Sequence, residues 1–355
     1  GHMVTSFGIP VLEPLFEMID EFIKDGISAK EAFTVNPRPI DYKNVKCNLA
    51  QKFVFCLMYG KQKSYEKSLE KIGLKSKDSF SCACYLPEMG NRPNIGDVLA
   101  WAESSAVVFA NSVLGARTNR NSGIIELLSN IIGKTPEFDL LTFEGRQAKY
   151  FIKTNFSCLP DPNILGDIVG KKVVKDVPYI TGLDKFLNEL EKQEKEDYLK
   201  NFGAACASSG AIGLYHIENI TPEAIEHKDK LLRKDYQDYC IDEEQIKKAE
   251  NKLLSASNDM FKKPGKCFIG CPHLSFQELY NWSNKFLDTL KNEKKAKVET
   301  VLCSSPPVLE KFAEDKALMS QLEQKGVKFT SICPLMYMNN PLCARLPVIT
   351  NSNKL

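Results

Sequence analysis

The stretch Cys-Phe-Ile-Gly-Cys-Pro-His-Leu-Ser, residues 267–275, determines the fold class of this sequence. Its first three residues are apolar and predict a buried strand, the next six predict a loop, and residues 276–290 follow the helical spacing of apolar side chains. The same order of a strand and then a polar or sulfur-containing loop recurs for strands predicted at 298–302, 327–332 and 347–350. Strands that alternate with helices indicate an α/β fold with a parallel sheet.

Polar or sulfur-containing residues follow all four of these strands. Cys271, Cys303 and Cys333 follow the first three, and Asn351 and Ser352 follow the fourth. The carboxyl ends of parallel strands lie at one edge of a sheet, and open α/β sheets bind their ligands there. A site is therefore favoured over simple packing for these cysteines.

The rest of the sequence also mixes helices and strands. Helices are predicted at 12–23, 64–72, 97–110, 123–132, 183–202 and from Thr221 onward, and strands at 33–39, 80–86, 147–156 and 211–217. The charged run 189–200 predicts a solvated helix face. We expect an N-terminal α/β region, residues 4–200, and a C-terminal α/β region, residues 201–355, that carries the strand-end cysteines.

Composition excludes several classes of function. The 355 residues carry a net charge of only +2, and basic and aromatic residues do not interleave in a nucleic-acid motif. No run of about 18 apolar residues predicts a membrane span. Glycine-rich dinucleotide and phosphate-loop motifs are also absent from the sequence. We expect a cytoplasmic protein that binds neither nucleic acid nor membrane.

The twelve cysteines allow three interpretations. A disulfide framework is disfavoured, since no signal peptide is visible and the chain is long for such a scaffold. Reduced cysteines that pack as small apolar residues are the simplest interpretation, and Cys56, Cys158 and Cys240 fit it. The third interpretation is a metal or cluster site. No paired C-x2-C spacing occurs, so such a site would be assembled from distant cysteines.

Two further stretches stand out. Residues 111–120 are polar and basic, yet they follow an apolar helix directly. They predict either a surface loop or a loop held inside a site, where Arg117 would bind a carboxylate or phosphate. Residues 203–210 are almost all small, which predicts a close approach to another element or to a ligand.

Residues 101–120, Trp-Ala-Glu-Ser-Ser-Ala-Val-Val-Phe-Ala-Asn-Ser-Val-Leu-Gly-Ala-Arg-Thr-Asn-Arg, resemble the signature of the large, catalytic subunit of the aconitase X family. Supporting matches lie at 80–83, 207–211, 270–275 and 350–352, and the resemblance covers roughly residues 30–355. It implies an aconitase-like α/β fold with several parallel or mixed sheets and flanking helices. Family members usually extend further at both ends, so we expect sequence to be missing on either side.

The resemblance also implies an activity and a cofactor. The family contains iron–sulfur hydro-lyases that dehydrate (R)-5-phosphomevalonate to trans-anhydromevalonate phosphate, or cis-3-hydroxy-L-proline. The positions that match its cluster ligands are Cys82, Cys271 and Cys333, which would hold a [4Fe–4S] or [2Fe–2S] cluster and leave Cys303 as a bystander. Two other hypotheses stay open: a non-catalytic member of the fold, and a zinc protein that uses the same cysteines.

The proton-abstracting base in aconitases resembles a serine on a separate swivel domain. No such domain is identifiable here, so the resemblance implies a small swivel-domain subunit as partner and a small hydroxy acid as substrate. His273 is expected to support the cluster ligands by a hydrogen bond, and Ser208 and Ser209 are equally well explained by tight packing. The expected catalytic residues are Ser352, Asn111 and Ser112, and the expected substrate-binding residues are Arg117, Thr118, Asn119, Ser208, Ser209 and Asn351.

Overall fold

The computed structural model describes residues 1–3, 13–259 and 264–355. Its strands are β1 His2–Met3, β2 Thr34–Val35, β3 Ala148–Asn155, β4 Pro178–Thr181, β5 His216–Ile217, β6 Leu232–Asp242, β7 Lys266–Leu274, β8 Glu299–Ser304, β9 Val327–Thr330 and β10 Val348–Thr350. Its first seven helices are α1 Glu13–Lys24, α2 Leu49–Tyr59, α3 Gln62–Ile72, α4 Ser104–Ser112, α5 Gly123–Ile132, α6 Pro162–Val173 and α7 Asp184–Leu187. The others are α8 Lys192–Ser209, α9 Pro222–His227, α10 Glu243–Asp259, α11 Phe276–Thr289, α12 Pro306–Phe312, α13 Lys316–Gln324 and α14 Pro334–Met338.

Two four-stranded sheets organise the chain, and every strand pair in them is parallel. One has the strand order β5-β4-β3-β6 and the other the order β10-β7-β8-β9. Helices α6 and α8 pack against each other beside the first sheet, and α11 to α13 pack beside the second. The predicted α/β class with parallel sheets is confirmed.

The region before the first sheet is mainly helical, and two predictions there are wrong. The segment 80–86 makes only one β-bridge, between Phe80 and Val35, and then turns. The Ser81 hydroxyl accepts a hydrogen bond from the Ala83 N–H at 3.1 Å, a local contact that favours a turn over a strand. Helix α4 begins at Ser104 rather than at 97, because the Glu103 side chain caps it by accepting from the Ala106 N–H.

The first sheet also departs from the prediction in its connections. The helix predicted at 183–202 is two helices, α7 and α8, because the backbone at Glu191 is extended. The charged run is only partly solvated, since Asp197 and Lys200 are buried. The strand predicted at 211–217 is limited to His216–Ile217, and β6 and α10 were not predicted. The expected domain division at residue 200 falls within α8.

The second sheet carries an irregularity that shapes the site. Strand β7 pairs with β8 from Lys266 to Ile269 and again at Leu274, so residues 270–273 bulge out of the ladder. Gly270 begins the bulge with φ +110°, and a Cβ there would lie 2.2 Å from the Cys303 carbonyl oxygen. Only glycine fits both restrictions. The segment after β8 forms two helices, α12 and α13, because Asp315 caps a new helix by accepting from the Leu318 N–H.

Candidate functional site

Three segments bring Cys82, Cys271 and Cys333 together. Cys82 lies in the turn after Phe80, Cys271 in the bulge of β7, and Cys333 at the N-terminus of α14. All three cysteine residues are partly exposed. The N–H of His273, two residues after Cys271, donates to Cys82 Sγ at 3.3 Å, and the His273 ring lies 3.0 Å from the carbonyl oxygen of Ile332, the residue before Cys333. The predicted edge of the sheet is therefore where these cysteines meet.

The surroundings favour neutral thiols while no metal is bound. Burial raises the pKa of Cys82 and Cys271, and it raises the pKa of Cys333 to about 12. Hydrogen bonds act in the opposite direction at all three: the His273 N–H donates to Cys82 Sγ at 3.3 Å, Ser352 is hydrogen-bonded to Cys271, and the Met336 backbone to Cys333. Metal binding would therefore release protons from these thiols.

The chemistry of the three donors fits an iron–sulfur cluster, because cysteine thiolates hold such clusters. Among residues 1–3, 13–259 and 264–355, no three Cys, His, Asp or Glu side chains form a set that could hold one metal ion. In an iron–sulfur cluster each thiolate binds a different iron, so the sulfurs stand further apart than the ligands of a single zinc ion.

The other cysteines differ in their environment. Cys303 is fully buried on β8, in the core that also contains Phe268, Val301 and Tyr337. Its burial distinguishes it from the three partly exposed cysteines, although the strand-end pattern alone did not. Three cysteines expected to pack inside the protein, Cys56, Cys158 and Cys240, are instead exposed. All twelve cysteines lie in the described ranges, and all are free.

An ion pair between Glu103 and Lys354 stands beside the thiols. Lys354 Nζ donates to the Glu103 carboxylate and to Ser104 Oγ, the latter at 3.1 Å. Burial alone would raise the pKa of Glu103, but Lys354 and hydrogen bonds from Ser105 and Ala106 lower it below its usual value. Glu103 also raises the pKa of Lys354, and so does the nearby Cys271. The pair therefore places a fixed ammonium group close to the thiols.

The residues after β10 lie at the same edge, as predicted. Asn351 Oδ1 accepts a hydrogen bond from the Gly270 N–H at 3.3 Å, at the start of the bulge. Ser352 Oγ accepts from the Lys354 N–H at 3.0 Å as well as contacting Cys271. The structure thus brings Asn351 and Ser352 to the cysteines, together with Lys354, which the sequence analysis did not single out.

The segment 111–120 is a largely buried structural element, not a surface loop. The Asn111 side chain donates to the carbonyls of Thr118 and Gly213 and accepts from the Thr118 N–H, and Asn119 bonds to Phe138 and Leu140. Thr118 is fully buried, and Ser112 Oγ accepts from the Tyr215 N–H at 2.9 Å. The amides of Asn111 and Asn119 therefore bond within the protein, and a substrate contact stays a prediction.

Arg146, which the sequence analysis missed, holds this segment against the first sheet. Its guanidinium is fully buried and donates to Glu223 at 2.7 Å, to Asn111 Oδ1 at 3.1 Å and to the Ala116 carbonyl at 3.3 Å. Arg117, in contrast, is partly exposed and donates to the Leu141 carbonyl at 3.0 Å. No local motif predicts the role of Arg146, because all its partners except the nearby Leu140 carbonyl lie 30 to 77 residues away.

Two predicted substrate-binding residues lie in a different environment. Ser208 Oγ donates to the Ala205 carbonyl at 3.1 Å within α8, and Ser209 Oγ donates to Asp167 of α6. The neighbouring Gly170 shows why small residues occur here: a Cβ on it would lie 2.9 Å from the Cys206 carbonyl oxygen. The contacts of both serines are those of tight packing between α6 and α8.

Comparisons with known proteins identify the family. Family models described as aconitase X first, second and third domain match residues 15–144, 148–251 and 266–355. The phosphomevalonate dehydratase large subunit of Methanocaldococcus jannaschii is 33% identical over 296 residues, which cover 81% of this chain and 67% of that protein. The cis-3-hydroxy-L-proline dehydratase of Hypocrea jecorina is 28% identical over 286 residues, 78% of this chain and 45% of that protein.

A solved structure supports the same assignment. The crystal structure of Thermococcus kodakaraensis aconitase X in its holo-form matches with a TM-score of 0.76 and 27% identity, over 99% of this chain and 82% of that one. The matched part spans 67% and 45% of the two curated relatives named above, and 82% of the solved structure. Within the described ranges, no helix is both long and apolar enough to cross a membrane.

Proposed function

Because the chain belongs to the aconitase X family, we propose that it is the large subunit of an iron–sulfur hydro-lyase that dehydrates (R)-5-phosphomevalonate. The observation that carries this proposal is the meeting of Cys82, Cys271 and Cys333 beside the Lys354 ammonium. Three cysteine ligands leave a cluster iron with an open position. When bound, that iron would supply Lewis-acid chemistry toward a leaving hydroxyl group.

The residues of this chain would bind and orient the substrate. Lys354 offers its charge to a substrate carboxylate, and its pairing with Glu103 fixes where that charge lies. Ser352 keeps Cys271 hydrogen-bonded and ties the segment after β10 to the bulge. The base that removes the proton is expected on a small subunit, since the relatives at 32–33% identity are named as large subunits.

Phosphomevalonate is favoured over cis-3-hydroxy-L-proline by the state of Glu103. Hydroxyproline carries an ammonium group that needs a carboxylate partner, and Glu103 is the carboxylate that stands beside the thiols. Glu103 is already paired with Lys354, so its charge is compensated within the protein. The relatives at 32–33% identity are phosphomevalonate dehydratase large subunits, which favours the same substrate.

The test compares four cysteine variants under anaerobic reconstitution with iron and sulfide. We expect Cys82→Ala, Cys271→Ala and Cys333→Ala each to lose most of the bound iron and the visible cluster absorption. Cys303→Ala is the matched control and should retain both, since Cys303 is fully buried on β8. Equal loss in all four variants, or zinc bound in place of iron in anaerobically purified protein, would contradict the assignment.

Substrate choice is tested by co-expression with a matching small subunit and an assay of water loss from both substrates. We expect turnover of phosphomevalonate and little of hydroxyproline. A complex that holds the cluster but dehydrates neither compound would favour the non-catalytic alternative. Turnover of hydroxyproline alone would reverse the substrate assignment and leave the hydro-lyase assignment intact.

A further inference from the structure

His273 is bonded to the segments that carry the other two site cysteines. It is fully buried and lies two residues after Cys271 in the bulge of β7. Its Nδ1 is 3.0 Å from the hydroxyl oxygen of Ser81, the residue before Cys82. Its Nε2 is 3.0 Å from the carbonyl oxygen of Ile332, the residue before Cys333. One imidazole therefore links all three cysteine segments.

The hydrogen-bond partners of the His273 ring determine which of its nitrogens carries the proton. A carbonyl oxygen only accepts hydrogen bonds, so Nε2 carries the hydrogen and donates it to Ile332. Nδ1 is then the acceptor, and the Ser81 hydroxyl donates to it. Ser81 Oγ accepts in turn from the Ala83 N–H, which holds the turn around Cys82. Both nitrogens of a neutral imidazole are thus satisfied.

The backbone of His273 is held as firmly as its ring. Its N–H donates to Cys82 Sγ at 3.3 Å. Its carbonyl accepts from Lys200 Nζ at 3.3 Å, and Lys200 is itself buried and paired with Glu278. Contacts at the ring, the N–H and the carbonyl leave His273 little freedom to move.

We propose that His273 is a positioning residue that sets the spacing of Cys82, Cys271 and Cys333 for cluster binding. This role rests on the proposed function, because it presupposes a cluster. The contacts of His273 that link the three segments are present in the protein without metal. Removing the imidazole should let the three segments move independently.

His216 offers a matched control. It is also a fully buried histidine, and its Nε2 lies 2.9 Å from a backbone carbonyl oxygen, that of Arg146. It lies on β5 of the other sheet. His273→Asn and His216→Asn therefore remove comparable buried rings, but only the first removes a link between cysteine segments.

The first measurement is amide hydrogen exchange in the reduced, metal-free protein. We expect residues 80–84 and 331–334 to exchange several-fold faster in His273→Asn than in the wild type, and at the wild-type rate in His216→Asn. This readout does not depend on a cluster, so it tests the inference even if the proposed function fails. Unchanged exchange in both segments would overturn the inference.

The second measurement is the rate of iron loss after anaerobic reconstitution. Loss of a residue that orients metal ligands typically costs about 10–100-fold in metal affinity, so we expect His273→Asn to lose iron at least about 10-fold faster than His216→Asn. A wild-type protein that binds no cluster contradicts the proposed function. A His273→Asn protein that keeps its cluster contradicts the inference alone.

Ser81→Ala covers the case in which His273→Asn does not fold. It removes the donor to Nδ1 and leaves the ring and the Ile332 contact in place. Ser79→Ala is its control, because Ser79 is also buried but its hydroxyl pairs with that of Ser76 and not with His273. Ser81 Oγ also accepts from the Ala83 N–H, so the informative segment is 331–334, which Ser81 reaches through the His273 ring. Faster exchange there in Ser81→Ala alone supports the inference, and equal rates in both variants refute it.

Discussion

At the scale of single residues, Glu103 and Lys354 show how a buried charge is kept beside the site. Only 3% of the Glu103 side chain is exposed, against 27% for Lys354. Burial raises the pKa of Glu103, and the contributions of Lys354 and of two hydrogen bonds reverse that effect. The carboxylate also caps α4, so its ionised state supports the helix as well as the ion pair.

Lys354→Met should destabilise the protein by about 3 kcal/mol at neutral pH, because it leaves the Glu103 carboxylate buried without a counter-charge. In the wild type, the lowered pKa of Glu103 stabilises the folded protein at pH values above the pKa of an unfolded glutamate. In the variant, burial raises that pKa, so the carboxyl is protonated more readily when folded. The destabilisation should therefore shrink as pH falls through about 4 to 5, and urea unfolding across that range measures it.

The double variant Glu103→Gln/Lys354→Met is the control for this prediction. It removes both charges, so the pH dependence assigned to the pair should disappear. If Lys354→Met alone is as stable as the wild type at pH 7, the ion pair does not hold Glu103 in its charged form. Sequence reasoning could not identify this pair, since its members lie 251 residues apart and no local pattern connects them.

At the scale of elements, α8 and α11 are joined by an ionic network behind the site. Lys200 of α8 pairs with Glu278 of α11, and Asp197 of α8 accepts from Ser275 Oγ at 2.8 Å. Glu278 also completes the capping box that begins α11. Burial, together with the charge of Glu278, raises the pKa of Asp197 to about 6, although Lys200 opposes the shift.

Asp197→Asn should change how stability depends on pH. A carboxyl whose pKa is raised on folding stabilises the folded protein at pH values below its unfolded pKa, which is about 4. That contribution is lost as the pH rises through the folded pKa, which is about 6. Relative to Asp197→Asn, the wild type should lose on the order of 2 kcal/mol as pH rises from about 4 through 6, and little more above about 7. Urea unfolding of both proteins at matched pH values measures the difference. A difference that does not vary with pH would contradict this assignment.

The elements also show what could be predicted from the sequence. Apolar spacing identified α5 and β3 almost to the residue, and alternation of strands and helices identified the second sheet, because these patterns are local. The buried face of α8 was missed, since Asp197 and Lys200 are polar and their partners lie about 80 residues away. Cys82 was placed on a strand, although a contact of Ser81 makes a turn there. Resemblance, not spacing, identified Cys82.

At the scale of the whole molecule, Arg146 connects the helical first region to the first sheet. It lies between the segments matched by the first two family models, residues 15–144 and 148–251. Its guanidinium donates to Asn111 and Ala116 on one side and to Glu223 on the other. Burial lowers the pKa of Arg146, and the hydrogen bond to Glu223 opposes that effect. The connection between the helical first region and the first sheet therefore depends on each donor of the Arg146 guanidinium having an acceptor.

Arg146→Met should cost about 3–5 kcal/mol of unfolding free energy, because it leaves Glu223 buried without its main partner and frees four other hydrogen-bond acceptors. Arg233→Met is the matched control: Arg233 pairs with Asp235 where 47% and 65% of the two side chains are exposed. Exposed pairs contribute about 0–1 kcal/mol, so that variant should unfold nearly like the wild type. Urea unfolding monitored by fluorescence compares the two variants. Equal losses of unfolding free energy in the two variants would mean that Arg146 acts through bulk packing. A large loss confined to Arg146→Met identifies its pairing as the link that holds residues 111–116 against the first sheet.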